Sequence, residues 1–380
     1  RRAEGARAAR RSSRAQTAET PRPAATPEQD AGPAPRPAPQ PAAGSRGTRR
    51  IGAVGRRTLA VLWLAALLAA AAGVIAVRAS DAPPDLVGQV SGGALSVLLA
   101  LGLARRTGGR PLWAVVLTGA VATTAFVLDW EPLLAGCAVG TGVLAATLGV
   151  MATVPAATVG RAIREVLLAT AVGWVGALGV VAYGDRAHLD VDLVRFGYVV
   201  FGISLLGAFA LVYRLGAGLH GLGRRGYAVA FGALIVLAVA LAYSEAIAHW
   251  GSRELVGTID DIRASTRELL GAVPHPIMAL LGYPALVWGV FMRARRRQGW
   301  WVCAFGVAVT SPSTTRLVSA ETDPTTVLLG AAYSLVVGVL LGYLVIRAEQ
   351  TLTGTHGRRA RRDEEAEAHR PEPRRFESLH

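Results

Sequence analysis

Lysine is absent from this chain of 380 residues, so all 40 basic side chains are arginine. Ala, Gly, Val and Leu dominate what remains, which reads as a GC-rich coding bias. Arginine abundance alone therefore identifies no partner, and signatures built on a lysine are excluded, among them that of membrane phosphatidic-acid phosphatases. Cysteine is scarce: Cys137 and Cys303 both lie in apolar runs, where a free thiol behaves as a small hydrophobe. No disulfide framework or zinc motif can be drawn from two such residues. Charge is scarce as well, at 17% of residues against about 25% in soluble domains. A hydrophobic share of 52% completes a composition suited to a membrane. No methionine opens the chain, so a start upstream of Arg1 is the expectation. Residues 1–56 also lack apolar periodicity; rich in Arg, Pro and Ala, they read as a disordered cytoplasmic tail that cannot bury a core. The long charged region does not fit a cleavable signal peptide.

From Arg57 onward, apolar runs alternate with short polar breaks. A helix needs about 20 mostly apolar residues to span a bilayer, and on that basis about ten spans are expected. They lie near 58–78, 88–104, 112–128, 132–152, 164–183, 196–213, 227–248, 276–292, 299–319 and 326–346. Runs of this length satisfy their backbone groups as helices. The fold class is therefore all-α, a polytopic membrane bundle over residues 57–347, followed by a charged cytoplasmic tail over 348–380.

Short arginine-rich loops belong on the cytoplasmic side. With the N-terminus inside, the inner loops carry Arg105, Arg106, Arg110, Arg161, Arg164, Arg214, Arg224, Arg225, Arg293, Arg295, Arg296 and Arg297, against one acid, Glu165. The outer loops carry fewer arginines and most of the acids, so both termini are expected in the cytoplasm. In RARRRQGWWVCAFG, Arg293 to Gly306, the arginines form a cytoplasmic turn and Trp300 with Trp301 an interfacial anchor. A nucleic-acid groove reader would need a soluble basic domain around such a patch, so no nucleic-acid partner is expected. The partners are the bilayer and, for the arginine-rich tails, anionic inner-leaflet lipid.

One loop is long. Between 249 and 275, Leu255, Ile259, Ile262 and Leu269 recur at helical spacing, giving an amphipathic helix near 254–270 on the outer face. Thr258 and Asp261 fit an N-terminal capping pattern, and Gly271 with Pro274 supplies the stop. The helix either meets lipid headgroups or covers the ends of neighbouring spans.

Candidate binding residues are ionisable groups near membrane depth, where they are costly. Glu245, flanked by Tyr243 and His249, closes the seventh span, and Arg316 at the outer end of the ninth is its natural opposite charge. Such a pair suits an anionic substrate or a gate; snorkelling to water is the alternative. Asp129 and Glu131 are acids of the second outer loop. In the ninth span Thr310, Ser311, Ser313, Thr314 and Thr315 surround Pro312. That pattern fits a broken helix lining a cavity or a span that ends early. In HLDVD, His188, Asp190 and Asp192 share one side of an extended strand and form a weak metal-ligand set; a solvated loop explains the same letters. Gly136–Gly140 and Gly338–Gly342 are close-packing pairs that leave a homo-oligomer open. No cofactor and no catalytic residue is called for.

The stretch GYPALVWGVFMRARRRQGWWVCAFG, together with HRPEPRR near the end, resembles uncharacterised multi-pass membrane proteins of high-GC Gram-positive bacteria. The resemblance covers mainly the C-terminal third and implies a cell-membrane location without an activity. Ten spans could divide into two inverted halves, as in some transporters, so the leading function is that of a transporter or permease. The alternatives are a cell-envelope enzyme acting on a lipid-linked or glycan substrate at the outer face, or a non-catalytic membrane scaffold.

Overall fold

The computed structural model describes residues 46–80, 84–184, 193–215, a few positions between 231 and 239, 253–296, 299–318, 323–353 and 372–379. Two units divide the chain at Val54. The first is described only over the opening turns of a helix, and all that follows concerns the second, from Gly55 onward.

Among the described residues the fold is helical throughout. In chain order the helices are α1 (Arg46–Ala79), α2 (Asp85–Arg106), α3 (Pro111–Leu128), α4 (Glu131–Met151), α5 (Val159–Gly184), α6 (Leu193–Arg214), α7 (Arg253–Leu270), α8 (Tyr283–Arg293), α9 (Gly299–Ala304), α10 (Val307–Thr315) and α11 (Pro324–Thr353). Local sequence sets several of their ends. Pro111 and Pro132 fall within the first turn of α3 and α4, where a missing N–H costs nothing. Asp129, the one positive-φ residue other than glycine among those described, closes α3 in the left-handed conformation. Asp323 caps α11 by accepting the Thr325 N–H at 3.2 Å.

Seven of these helices are long and apolar enough to cross a membrane: residues 57–79 of α1, α2 to α6, and α11. The expectation of about ten therefore changes in the second half of the chain. The run at 227–248 lies largely outside the described residues, though those described between 231 and 239 are helical. The run at 276–292 becomes a π-helical turn (Ile277–Gly282) leading into α8, a continuous apolar segment short of spanning length. The run at 299–319 is broken into α9 and α10. Chemistry explains that break. Gly306 allows a close approach, since a Cβ there would sit 2.6 Å from Leu286 Cδ1. Tight bonds such as Phe305 N–H to Val302 O and Val309 N–H to Gly306 O then replace regular α-helical ones.

α10 lies at the centre, with all but its Pro312 and Thr315 buried. It packs against α4, α5, α6 and the π-turn, and glycines make this proximity feasible: a Cβ on Gly173 of α5 would stand 3.0 Å from the Thr310 carbonyl oxygen. The periphery is the reverse. α3 buries only Ala122 and Ala125 while Leu112, Val116, Leu117 and Val127 stay exposed, an apolar surface far larger than water-soluble proteins tolerate and consistent with lipid contact. The amphipathic helix α7 matches the expected 254–270, but it starts before Thr258, whose hydroxyl bonds the Glu254 carbonyl oxygen inside the helix. Gly271 ends it at φ 76°. Of its apolar residues Ile262, Leu269 and Leu270 are exposed, whereas Val256 and Ile259 are half-buried.

Candidate functional site

The C-terminal end of α10 helps enclose a cavity of about 380 Å³ with the start of α6, the π-turn and the start of α11. Its walls are apolar and aromatic, from Tyr198, Phe201, Ile277 and Val327, and its polar groups are Ser311, Thr315 and Arg316 beside Pro312. Proline removes one backbone donor and kinks the chain, and the hydroxyls of α10 absorb the irregularity unevenly. Thr310 donates to the Ala146 carbonyl of α4 at 2.8 Å, Ser313 to Val309 O at 2.9 Å, and Thr314 to Ser311 O at 2.7 Å. The Ser311 hydroxyl, 1% exposed, has no partner among the described residues, and neither has Arg316 Nε. An unpaired buried polar group is expensive, and an arginine beside the orphaned Ser311 hydroxyl presents donors for an oxyanion. Among the described residues the lining includes no carboxylate or imidazole. The arrangement is equipped to bind an anion.

His275 stands beside this region, its backbone N–H donating to Ser334 Oγ at 2.6 Å. Burial first, and then the neighbouring Arg316 cation, hold its imidazole down to about 4. It is neutral at neutral pH, and its Nε2 has no hydrogen-bond partner among the described residues.

Of the residues expected to form a site, Arg316 is therefore in a cavity. Its expected partner Glu245, with Tyr243 and His249, lies outside the described residues. So do His188, Asp190 and Asp192; among the described residues no group of three His, Cys, Asp or Glu could hold a metal. Asp129 and Glu131 are exposed at the α3–α4 turn and line neither of the cavities described here. The two glycine pairs differ. A Cβ on Gly342 would meet Val287 Cβ at 2.9 Å, and one on Gly338 would collide with Tyr283 Cβ, whereas Gly136 and Gly140 face open space.

The opposite end of the bundle departs furthest from the expected picture. Trp300 and Trp301 are buried, and the Trp300 ring lies 3.4 Å beneath the Arg293 guanidinium carbon. Their place is inside the bundle, against Arg293 and Phe209, rather than out among headgroups. Arg293 is itself fully buried, while Arg295 rests on the Phe291 ring and Arg296 is exposed; Arg297 is outside the described residues. Arg293 donates to Thr153 Oγ1 at 2.7 Å and pairs with Glu372 at 2.6 Å. Arg106, 2% exposed, donates to the carbonyl oxygens of Met151, Arg374 and Glu377 at 2.9, 2.7 and 2.9 Å. Glu165, fully buried, accepts from Arg164 at 2.9 Å, Arg375 at 2.6 Å and the Val154 N–H at 3.0 Å.

Residues 372–379 thus fold back onto the bundle. Leu379 N–H donates to Arg106 O at 2.9 Å, Phe376 meets Trp63 edge-on at 6.1 Å, and Leu379 joins the main core. The tail expected to begin at 348 is partly helix, since α11 runs to Thr353, and partly this docked segment. Sequence reasoning missed the docking because the segment has no periodicity. The one available signal was Glu165 itself, a lone acid among arginine-rich loops, which burial forces into ion pairs.

No family model matches this chain, and no curated protein or solved structure does so either.

Proposed function

We propose that this is a transporter or permease-like multi-pass membrane protein that captures a small anion at Arg316. One observation carries the reading: a half-buried arginine and a buried serine, both with polar atoms lacking hydrogen-bond partners among the described residues, share a cavity beside Pro312 in α10, the second piece of a helix broken at Gly306. Discontinuous helices at a substrate site are a recurrent device of transporters, because freed backbone and side-chain donors can face a cavity there. The loops carrying Arg106, Arg164 and Arg293 gather at one end of the bundle through their shared bonds to residues 151–154 and 372–377. The arginine rule makes that end cytoplasmic and opens the Arg316 cavity outward.

The test is thermal unfolding of the purified protein titrated with sulfate, phosphate and succinate at constant ionic strength. At least one anion should raise the wild-type Tm through linkage and leave Arg316→Gln unmoved, while Arg316→Lys retains part of the effect. Equal shifts in wild type and Arg316→Gln would remove Arg316 from the site. Counterflow of the effective anion into proteoliposomes then separates transport from static binding.

A further inference from the structure

A second cavity, about 640 Å³, lies between α1, α2, α4 and α5, well within the range of sites that enclose small ligands. It is strongly amphipathic. Leu64, Leu67, Leu148, Val172 and Val175 wall it, while Arg105, Arg106, Glu165 and Arg375 stand at one end. Next to its apolar part, Leu59, Leu64 and Leu68 of α1 are exposed, so the cavity borders surface that faces lipid. At the polar end charge does not balance: Arg106, Arg164, Arg293, Arg374 and Arg375 gather with Glu165, Glu372 and Glu377, leaving an excess of positive charge before exposed Arg105 is counted. Phe376 and Arg375 of the docked C-terminal segment complete the lining.

We propose that this cavity binds an anionic phospholipid, one acyl chain lying between α1 and α5 and the phosphate meeting Arg105 at the rim, with the C-terminal segment as part of the wall. The apolar length selects a chain, the surplus cations select a negative head, and the exposed leucines of α1 supply the entry from the bilayer. A soluble anion would leave the apolar walls uncovered, and a neutral lipid would leave the charge excess unanswered.

Native mass spectrometry of the delipidated full-length protein tests this, with phosphatidylglycerol and phosphatidylcholine of identical chains added in parallel. The wild type should retain one phosphatidylglycerol with about a tenfold preference, corresponding to about 1.4 kcal/mol. Arg105→Gln, at an exposed position that costs no packing, should reduce the preference several-fold. Ala171→Phe, filling the cavity from an exposed position on α5, should abolish retention of either lipid with the helical circular dichroism melt unchanged. Equal retention of both lipids by the wild type overturns the proposal, as does Ala171→Phe binding like the wild type. An unaltered preference in Arg105→Gln overturns the placement of the head. Glycerol phosphate should fail to compete; competition at equal concentration would assign the site to a soluble phosphate and overturn the acyl-chain assignment.

Discussion

Removing the Glu372 carboxylate is the sharpest test of the C-terminal docking. In the folded chain this group is 6% exposed and bonds the fully buried Arg293 at 2.6 Å. Arg293 otherwise has Thr153, as hydroxyl and carbonyl acceptor, and the Trp300 ring. Glu372→Ala leaves a buried cation without its carboxylate, a change that typically costs about 3–5 kcal/mol. The charge excess at this end enlarges the penalty, because Arg106 loses a compensating neighbour at the same time. The chain has a cheaper escape than global unfolding: residues 372–379 can detach and let water reach both arginines. The loss should therefore appear as undocking, shifted by roughly a hundred- to several-thousandfold, with α2 to α6 intact. Hydrogen exchange of the C-terminal peptide reads this directly, since the Leu379 amide is bonded to Arg106 O in the docked state. Protection in the wild type and its collapse in Glu372→Ala is the expected result. A wild-type peptide that exchanges as fast as the variant would refute the buried network.

Two other perturbations have opposite controls built in. Gly338→Leu should destabilise by at least about 1–3 kcal/mol through overpacking, because any Cβ there collides with Tyr283 and lies 3.0 Å from Ala279 O; Gly136→Leu, facing open space, should stay within about 0.5 kcal/mol. Equal loss in the two, measured by thermal unfolding, would refute this difference in packing. For His275 the folded state holds the imidazole at about 4 against an ordinary 6.5, so above 6.5 both states are neutral and nothing is contributed. As pH falls from 6.5 towards 4 the unfolded chain takes up a proton that the fold refuses, and stability declines. His275→Gln should flatten the slope of Tm over that window; a slope identical to the wild type would mean that the imidazole is freely protonated.

How much of this was legible beforehand varied by element. The first six spans could be read because each is a continuous apolar run whose ends carry proline, arginine or acid, so bilayer length and helix chemistry agree. The amphipathic helix α7 was legible from period alone, although its start was not, since Thr258 served its own helix rather than a cap. Ser311, Pro312 and Arg316 were visible as a breaker amid hydroxyls, yet the same letters fitted a span that merely stops early. That Trp300, Trp301 and Arg293 are buried was not legible, because an aromatic–arginine turn at a helix end looks the same whether it faces headgroups or packs into the bundle.

By itself, then, the sequence determined that the chain is helical with long apolar segments of spanning length, because that depends on the sum of many residues and survives errors at any single position. Tertiary structure alone decided which charges are buried and with whom. Glu165 and Arg375 are 210 positions apart and Arg293 and Glu372 are 79; no local pattern encodes such pairings. What drives them is the cost of leaving a charge unpaired once close packing around α4, α5 and α8 has excluded water from it.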